Sequence, residues 1–172
     1  MTRRILIAGI GNIFLGDDAF GVETARELLR QPLPEGVRVV DFGIRSYDLA
    51  YAMMEGNDAT ILVDATARGQ EPGTVYLIEP DLNEMGRLEV GAVNAHSINP
   101  VGVLQMVRSL GGGLGRLYLV GCEPAVLETE NGEMGLSAVV QAAVPRAIEM
   151  IRSLVIELAR ESKEHGLVEA QL

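Results

Sequence analysis

The sequence predicts a single α/β domain, with a mixed, mostly parallel sheet of about five strands and helices on both faces. Three observations carry that expectation. Short apolar runs alternate with stretches of helical periodicity. The first run, "RILIAGI", stops at a glycine turn, as a buried strand does. The link between the third and fourth runs, "ARGQEPG", is too short for the helical crossover of a dozen or more residues that parallel neighbours need. The fourth strand is therefore expected to run antiparallel.

The elements follow in order. Residues 4–10 form the first strand, and "DAFGVETARELLR" (18–30) places Val22, Ala25, Leu28 and Leu29 at helical spacing. "PLPEG" breaks that helix, and "VRVVDF" (37–42) is the second strand. "SYDLAYAMMEG" (46–56) reads as a helix, with Ser46 as its N-cap and Gly56 as its stop. "ATILVDA" (59–65) is a third, buried strand that closes on an aspartate, and "TVYLIEP" (74–80) is the fourth. Residues 81–97 read as a long loop. In "NPVGVLQMVRSLGGG" (99–113) Asn99 suits the cap, Pro100 the first helical position, and Gly111 follows the end. "RLYLVGCEP" (116–124) is the fifth strand. The last helix is expected from about Ser137 to Arg160, with Val140, Val144, Ile148, Ile151, Leu154 and Leu158 on one face. Pro145 should kink it or mark its true start. One domain over 1–160 and a frayed polar tail over 161–172 result.

Composition narrows the function. The chain has 172 residues, 48% of them apolar, which suits one compact domain with a real core. A formal charge of −10 argues against a nucleic-acid partner, because phosphate backbones need clustered Lys and Arg. Cys122 is the single cysteine, so no internal disulfide and no cysteine-based metal knuckle is expected. No apolar stretch approaches the ~20 residues of a spanning helix, so no membrane partner is expected. The basic N-terminus runs into a glycine turn after a short apolar run, which reads as a strand and not as a signal peptide. The expected address is the cytoplasm and the expected state a monomer.

α/β sheets place their working groups beyond the carboxyl ends of the strands. Strand one ends in Gly9-Ile10-Gly11-Asn12, followed by Asp17 and Asp18; strand two ends in Asp41, strand three in Asp64 and strand five in Gly121-Cys122-Glu123. His96 lies just before the helix that begins near Pro100. A dinucleotide-binding loop would need a third glycine at position 14, where Phe14 stands. The acidic pair also opposes a pyrophosphate, since two like charges ~4 Å apart at an effective dielectric near 20 repel by roughly 4 kcal/mol. A cation site is the alternative. Asp18 and Asp64 offer oxygens and His96 a nitrogen, and three protein ligands leave positions open, as in a working site. Such a mixed set suits zinc, nickel, iron or manganese. The helix N-terminus near His96 disfavours imidazolium and leaves the neutral ring that a metal needs. Each residue also has a plainer reading: a cap for Asp17 or Asp18, a hydrogen-bonded turn residue for Asp64, a polar loop residue for His96. Asp41 and Glu123 read as turn or loop acids, Cys122 as a small core residue, and His165 as a solvated tail residue. The residues alone leave these alternatives open.

Taken together, "GIGNIFLGDDAFGVE", "ILVDA", "NAHSINPVGVL" and "LYLVGCEP" resemble the hydrogenase maturation endopeptidases, from residue 5 to about residue 150. That family removes a C-terminal extension from the large subunit of nickel–iron hydrogenases after nickel is installed. The resemblance implies that the metal-contacting groups are Asp18, Asp64 and His96, and that a hydrogenase large-subunit precursor is the partner. It implies nickel that arrives on the cysteines of the precursor, with zinc or cadmium as substitutes. The metal would then polarise the scissile carbonyl or activate water, or it would position the substrate while Asp17 or Asp18 acts as general base. "DFGIRSYDLAY" departs from the glycine-rich "DGGT"-like segment of many members: Gly43 keeps its position, whereas Arg45 and Tyr47 look particular to a subgroup. That bears on which hydrogenase is recognised. A resident-metal hydrolase of small substrates and a non-catalytic binder of a precursor or chaperone are the remaining rivals.

Overall fold

The apolar runs become strands wherever turn residues bound them: β1 (Ile5–Ile10), β2 (Val37–Gly43), β3 (Ala59–Ala65), β4 (Val75–Ile78) and β5 (Arg116–Cys122). Between them lie α1 (Phe20–Leu29), α2 (Ser46–Met53), α3 (Pro100–Ser109) and α4 (Ala138–Glu169). A 3-10 helix over Gly16–Ala19 leads into α1. The structure, a computed structural model, describes residues 2–82, 100–127 and 134–169, with 162–169 described by backbone alone.

The sheet order is β2-β1-β3-β5-β4. β2, β1, β3 and β5 run parallel, and β4 pairs antiparallel with β5. The mixed sheet is the one expected. The β3–β4 link passes over β5 and places β4 at the edge. All six residues of β1 are buried, as in a parallel strand covered on both faces. The two-residue period divides the core. Ile5, Ile7, Ile61, Val63, Tyr118 and Val120 face α1 and α4. Leu6, Ala8, Ile10, Leu62 and Leu117 face α2 and α3. Along α4, Val140, Val144, Ile151, Leu154 and Leu158 return at helical spacing to the first of these layers.

Several boundaries differ from the sequence reading, each for a physical reason. The acidic pair precedes α1 on the 3-10 helix, because the Asp17 amide is drawn off to Val126 O (2.8 Å) and the Asp18 amide donates to Leu15 O (3.1 Å). Ser46 does not cap α2; Arg45 occupies the cap position without a side-chain cap bond, its guanidinium folding back on Phe42 O and Asp41 O. Asn99 lies outside the described residues, as do residues 83–97 of the expected loop. α3 ends at Ser109, where Gly111 N donates to Arg108 O and Gly112 N to Val107 O. Pro145 sits inside α4 and does not mark its start. α4 also continues past Arg160 to Glu169, through residues rich in helix formers. Glu161 anchors this part to Arg3 (3.5 Å) and Arg116 (2.7 Å).

β1 has β2 on one side and β3 on the other, so the strand order reverses between β1 and β3. The crevice above their carboxyl ends is where such sheets hold ligands. The start of α1 sits directly on these ends. A Cβ on Gly21 would overlap Val63 O and Ile10 O, two backbone atoms that cannot swing away. Gly21→Ala is therefore expected to cost on the order of 1–3 kcal/mol or more. Urea unfolding measures this, and a midpoint equal to that of the unsubstituted protein would show that the seat is not tight.

Candidate active site

The turn after β1 places the first acid. Gly11 has φ +137°, and a Cβ there would overlap the backbone oxygen of Asp18. Asn12 Oδ1 accepts from Phe14 N (2.9 Å) and tightens the turn. The chain then doubles back, and Asn12 N–H donates to Asp18 Oδ2 (2.7 Å). Asp18 is thus half-buried with its carboxylate fixed at the end of β1.

The second acid comes from the neighbouring strand. Asp64, near the end of β3, shares the sheet face of Leu62, the face covered by α2 and α3. It is only 8% exposed. Burial pushes its carboxyl well above the usual range, and the charge of Asp18 pushes it further, against one hydrogen bond from the Ala65 amide. Burial likewise raises Asp18, and the Asn12 hydrogen bond opposes the rise. Among the described residues neither acid has a Lys or Arg ion-pair partner. Two carboxyls held partly out of water, the charge of one acting on the other and with no Lys or Arg partner among the described residues, make a place that a positive charge would relieve.

The third expected ligand, His96, lies outside the described residues. The helix that follows it in sequence, α3, packs on the face to which Asp64 belongs. Among the described residues there is no group of three His, Cys, Asp or Glu able to hold a metal; of the three expected ligands the structure shows Asp18 near enough for its charge to act on Asp64.

The family model for hydrogenase maturation proteases matches residues 22–154. The chain belongs to the hydrogenase maturation protease family. It is 31% identical over 161 residues to the hydrogenase 2 maturation protease of Escherichia coli, covering 92% of this chain and 94% of that protein. It is 35% identical over 149 residues to the hydrogenase expression/formation protein HupD of Rhizobium leguminosarum, covering 85% and 71%. Its fold matches the hydrogenase maturating endopeptidase HybD of E. coli with a TM-score of 0.75 and 31% identity, over 90% of this chain and 93% of that one. The peptidase class expected from the sequence is that of the family. Phe14, 59% exposed, stands where a dinucleotide loop needs glycine, and the family membership displaces that alternative.

The other acids of this maturation protease have different work. Asp17 is fully buried, and neither the 3-10 helix nor α1 has a side-chain cap, so it does not cap its own helix. Its Oδ2 accepts from Ala125 N (2.9 Å), Val126 N (2.8 Å) and Ser137 Oγ (2.9 Å), and its Oδ1 from Ser137 N (2.7 Å). Glu123, 5% exposed, accepts from Arg68 N (2.7 Å) and Gly69 N (3.3 Å), a loop acid as expected. Asp41 pairs with Arg26 at the surface (3.2 Å). Cys122 is buried in the core, and burial, with the charges of Asp17 and Glu123, pushes its thiol up to about 11, which suits packing and not nucleophilic attack. The sequence reading did not single out Tyr76. It is paired with Gly121, which in turn is paired with Asp64, and its hydroxyl donates to Thr66 O (2.5 Å). A Cβ on Gly121 would overlap that ring.

The raised carboxyl of Asp64 has a consequence for stability. Its native value lies above 3.8, so the native state holds this proton more tightly than the unfolded chain does. The resulting penalty on the native state is absent below about pH 3.8 and grows as pH rises through the native value. In metal-free protein Asp64→Asn should therefore raise Tm at neutral pH, by roughly 2–4 °C for each kcal/mol relieved. The gain should vanish as pH falls toward 3.8. Thermal melts across a pH series measure this, and a variant no more stable at neutral pH would show that the carboxyl carries no penalty.

Proposed function

We propose that this protease removes the C-terminal extension of a nickel–iron hydrogenase large-subunit precursor after nickel insertion, reading the nickel that the precursor carries. The supporting observation is the Asp18–Asp64 pair at the crevice between β1 and β3, Asp18 raised by burial and Asp64 by burial and the charge of Asp18. Family membership supplies the reaction class.

In this reading nickel is part of the substrate. Asp18, oriented by the Asn12 amide, and Asp64, oriented by the Ala65 amide, offer it oxygens, and His96 offers a nitrogen. Carboxylate and imidazole together form a mixed oxygen–nitrogen donor set that suits nickel, zinc or cadmium. A precursor lacking the ion meets two carboxyls that retain protons more strongly than free ones do. A precursor bearing it displaces those protons and docks. Docking at a fixed point places the scissile bond beside the same carboxyls, which supplies proximity and orientation. Asp18, half-buried and reachable, is the general base. Asp17 is not, because it is fully buried and both its oxygens are engaged.

The test is cleavage of matched precursors, with the released extension weighed by mass spectrometry. The nickel-loaded precursor should be cut and the nickel-free one spared. Asp18→Asn, Asp64→Asn and His96→Ala should each slow cleavage by about 10²-fold or more while the protein stays folded. Equal cleavage of both precursors would remove nickel from the recognition step, and full activity in all three variants would remove the site.

A further inference from the structure

We infer that Asp17 and Glu123 are positioning residues, which tie the 3-10 turn bearing Asp18 and the loop that follows Asp64 to the exit of β5 and so set the separation of the two site carboxylates. The functional consequence rests on the site reading above; the geometry stands apart from it.

Each of these acids is buried, and a buried carboxylate persists only where donors satisfy it. Among the described residues neither has a Lys or Arg partner, and their donors are mainly backbone amides of loops. Asp17 directly precedes Asp18. Its carboxylate takes the amides of Ala125 and Val126, and its own amide donates to Val126 O (2.8 Å), so the connection runs in both directions. Ser137, just ahead of α4, adds its amide and hydroxyl. The turn that bears Asp18 is thereby fixed to residues after β5, although β1 and β5 lie on opposite sides of β3.

Glu123 does the corresponding work for Asp64. It is the first residue past β5, and its carboxylate holds the amides of Arg68 and Gly69 in the loop that leaves β3. Its amide donates to Thr74 O (2.9 Å), and its carbonyl accepts from Gly73 N (2.8 Å). Thr66 N donates to Cys122 O (3.0 Å). The loop after Asp64 is thus joined to β5 at both ends. The short stretch Cys122–Val126 carries no proposed ligand, yet it holds one site acid through Asp17 and the other through Glu123. The spacing between two carboxylates decides whether one ion can be shared, so this stretch acts as the gauge of the site.

The experiment uses the full chain with Asp17→Asn and Glu123→Gln, which keep shape but point an amide group at N–H donors. Hydrogen exchange is followed at two amides that report the site acids directly: Asn12, which donates to Asp18, and Ala65, which donates to Asp64. Asp17→Asn should speed exchange at Asn12 by about tenfold and leave Ala65 nearly unchanged, and Glu123→Gln should do the reverse; tenfold corresponds to one lost charge-assisted hydrogen bond. Cadmium affinity by calorimetry should fall about tenfold in both, while Tyr76 and Cys122 amides in the sheet keep their protection. Uniform loosening of the whole sheet, or no change at Asn12 and Ala65, would overturn the inference. Unchanged cadmium affinity beside a wild-type protein that binds cadmium would overturn it too. If the wild-type protein binds no cadmium while the selective exchange pattern appears, the site reading fails and the positioning role stands. Should Asp17→Asn not fold, Ser137→Ala removes one donor and leaves the carboxylate. It should speed exchange at Asn12 about threefold, and no change there would count equally against the inference.

Discussion

The start of α1 touches the sheet backbone to backbone, and the site depends on that contact. A Cβ on Gly9 would overlap the Gly21 carbonyl and the Ala25 methyl, and a Cβ on Gly21 would overlap the carbonyls that end β1 and β3. A helix held off by side chains would stand farther from the strand ends and carry its leading residues away with it. Seated this closely, it brings the turn before it over the end of β3, and Asp18 comes within electrostatic range of Asp64. The same contact explains why a glycine-rich turn here needs no phosphate. In nucleotide-binding loops the free amides at a helix start receive the anion. Here the Asn12 amide goes to the Asp18 carboxylate and the Asp17 amide to Val126 O. The protein's own oxygens take the place of an anion, and the carboxylates turn the local field toward cations.

That arrangement holds charge where folding alone would not put it. Asp64 follows the buried run Ala59–Val63 and remains buried itself, with burial and Asp18 both working against its ionised form. A chain selected only for stability would place an apolar or amide side chain there. Local rules of folding give way at one position while Ala8, Ile61 and Val120 elsewhere in the sheet obey them fully, a pattern that working sites in consistent folds share.

The parts of the fold legible in the sequence are those set by short-range rules. β1 and β3 were readable because a strand covered on both faces is an unbroken apolar run. The direction of β4 was readable from the length of the link before it. Asp18 and Asp64 were singled out because strand ends are where such sheets work, and the structure shows the charge of Asp18 acting on buried Asp64. What could not be read was decided by partners far along the chain. Asp17 looks like a cap, yet its carboxylate reaches Ala125 and Ser137, across more than a hundred positions in the sequence. Ser46 is a good cap by composition, but the Arg45 side chain, pinned to Phe42 O and Asp41 O, occupies that corner. α4 outruns its apolar stripe because helix formers such as Glu and Lys continue a polar helix that the amphipathic pattern does not mark. His96 was singled out by its place before α3 and lies outside the described residues.

The adjacent aspartates Asp17 and Asp18 have opposite duties, and their geometry says why both are there. They lie on a 3-10 helix, where successive side chains diverge by about 120°. Neighbours on such a turn cannot face the same way. One side chain enters the interior and is consumed by amides and a hydroxyl from the exit of β5 and the threshold of α4. The other is left half-buried, facing the end of β3 with a single backbone donor. An acid at position 18 alone would sit on a turn free to drift. An acid at position 17 alone would fix a turn that presents nothing. The pair divides anchoring from presentation between adjacent residues; Gly11 and Gly16 before it let the backbone turn tightly, and Gly21 after it lets α1 seat on the strand ends.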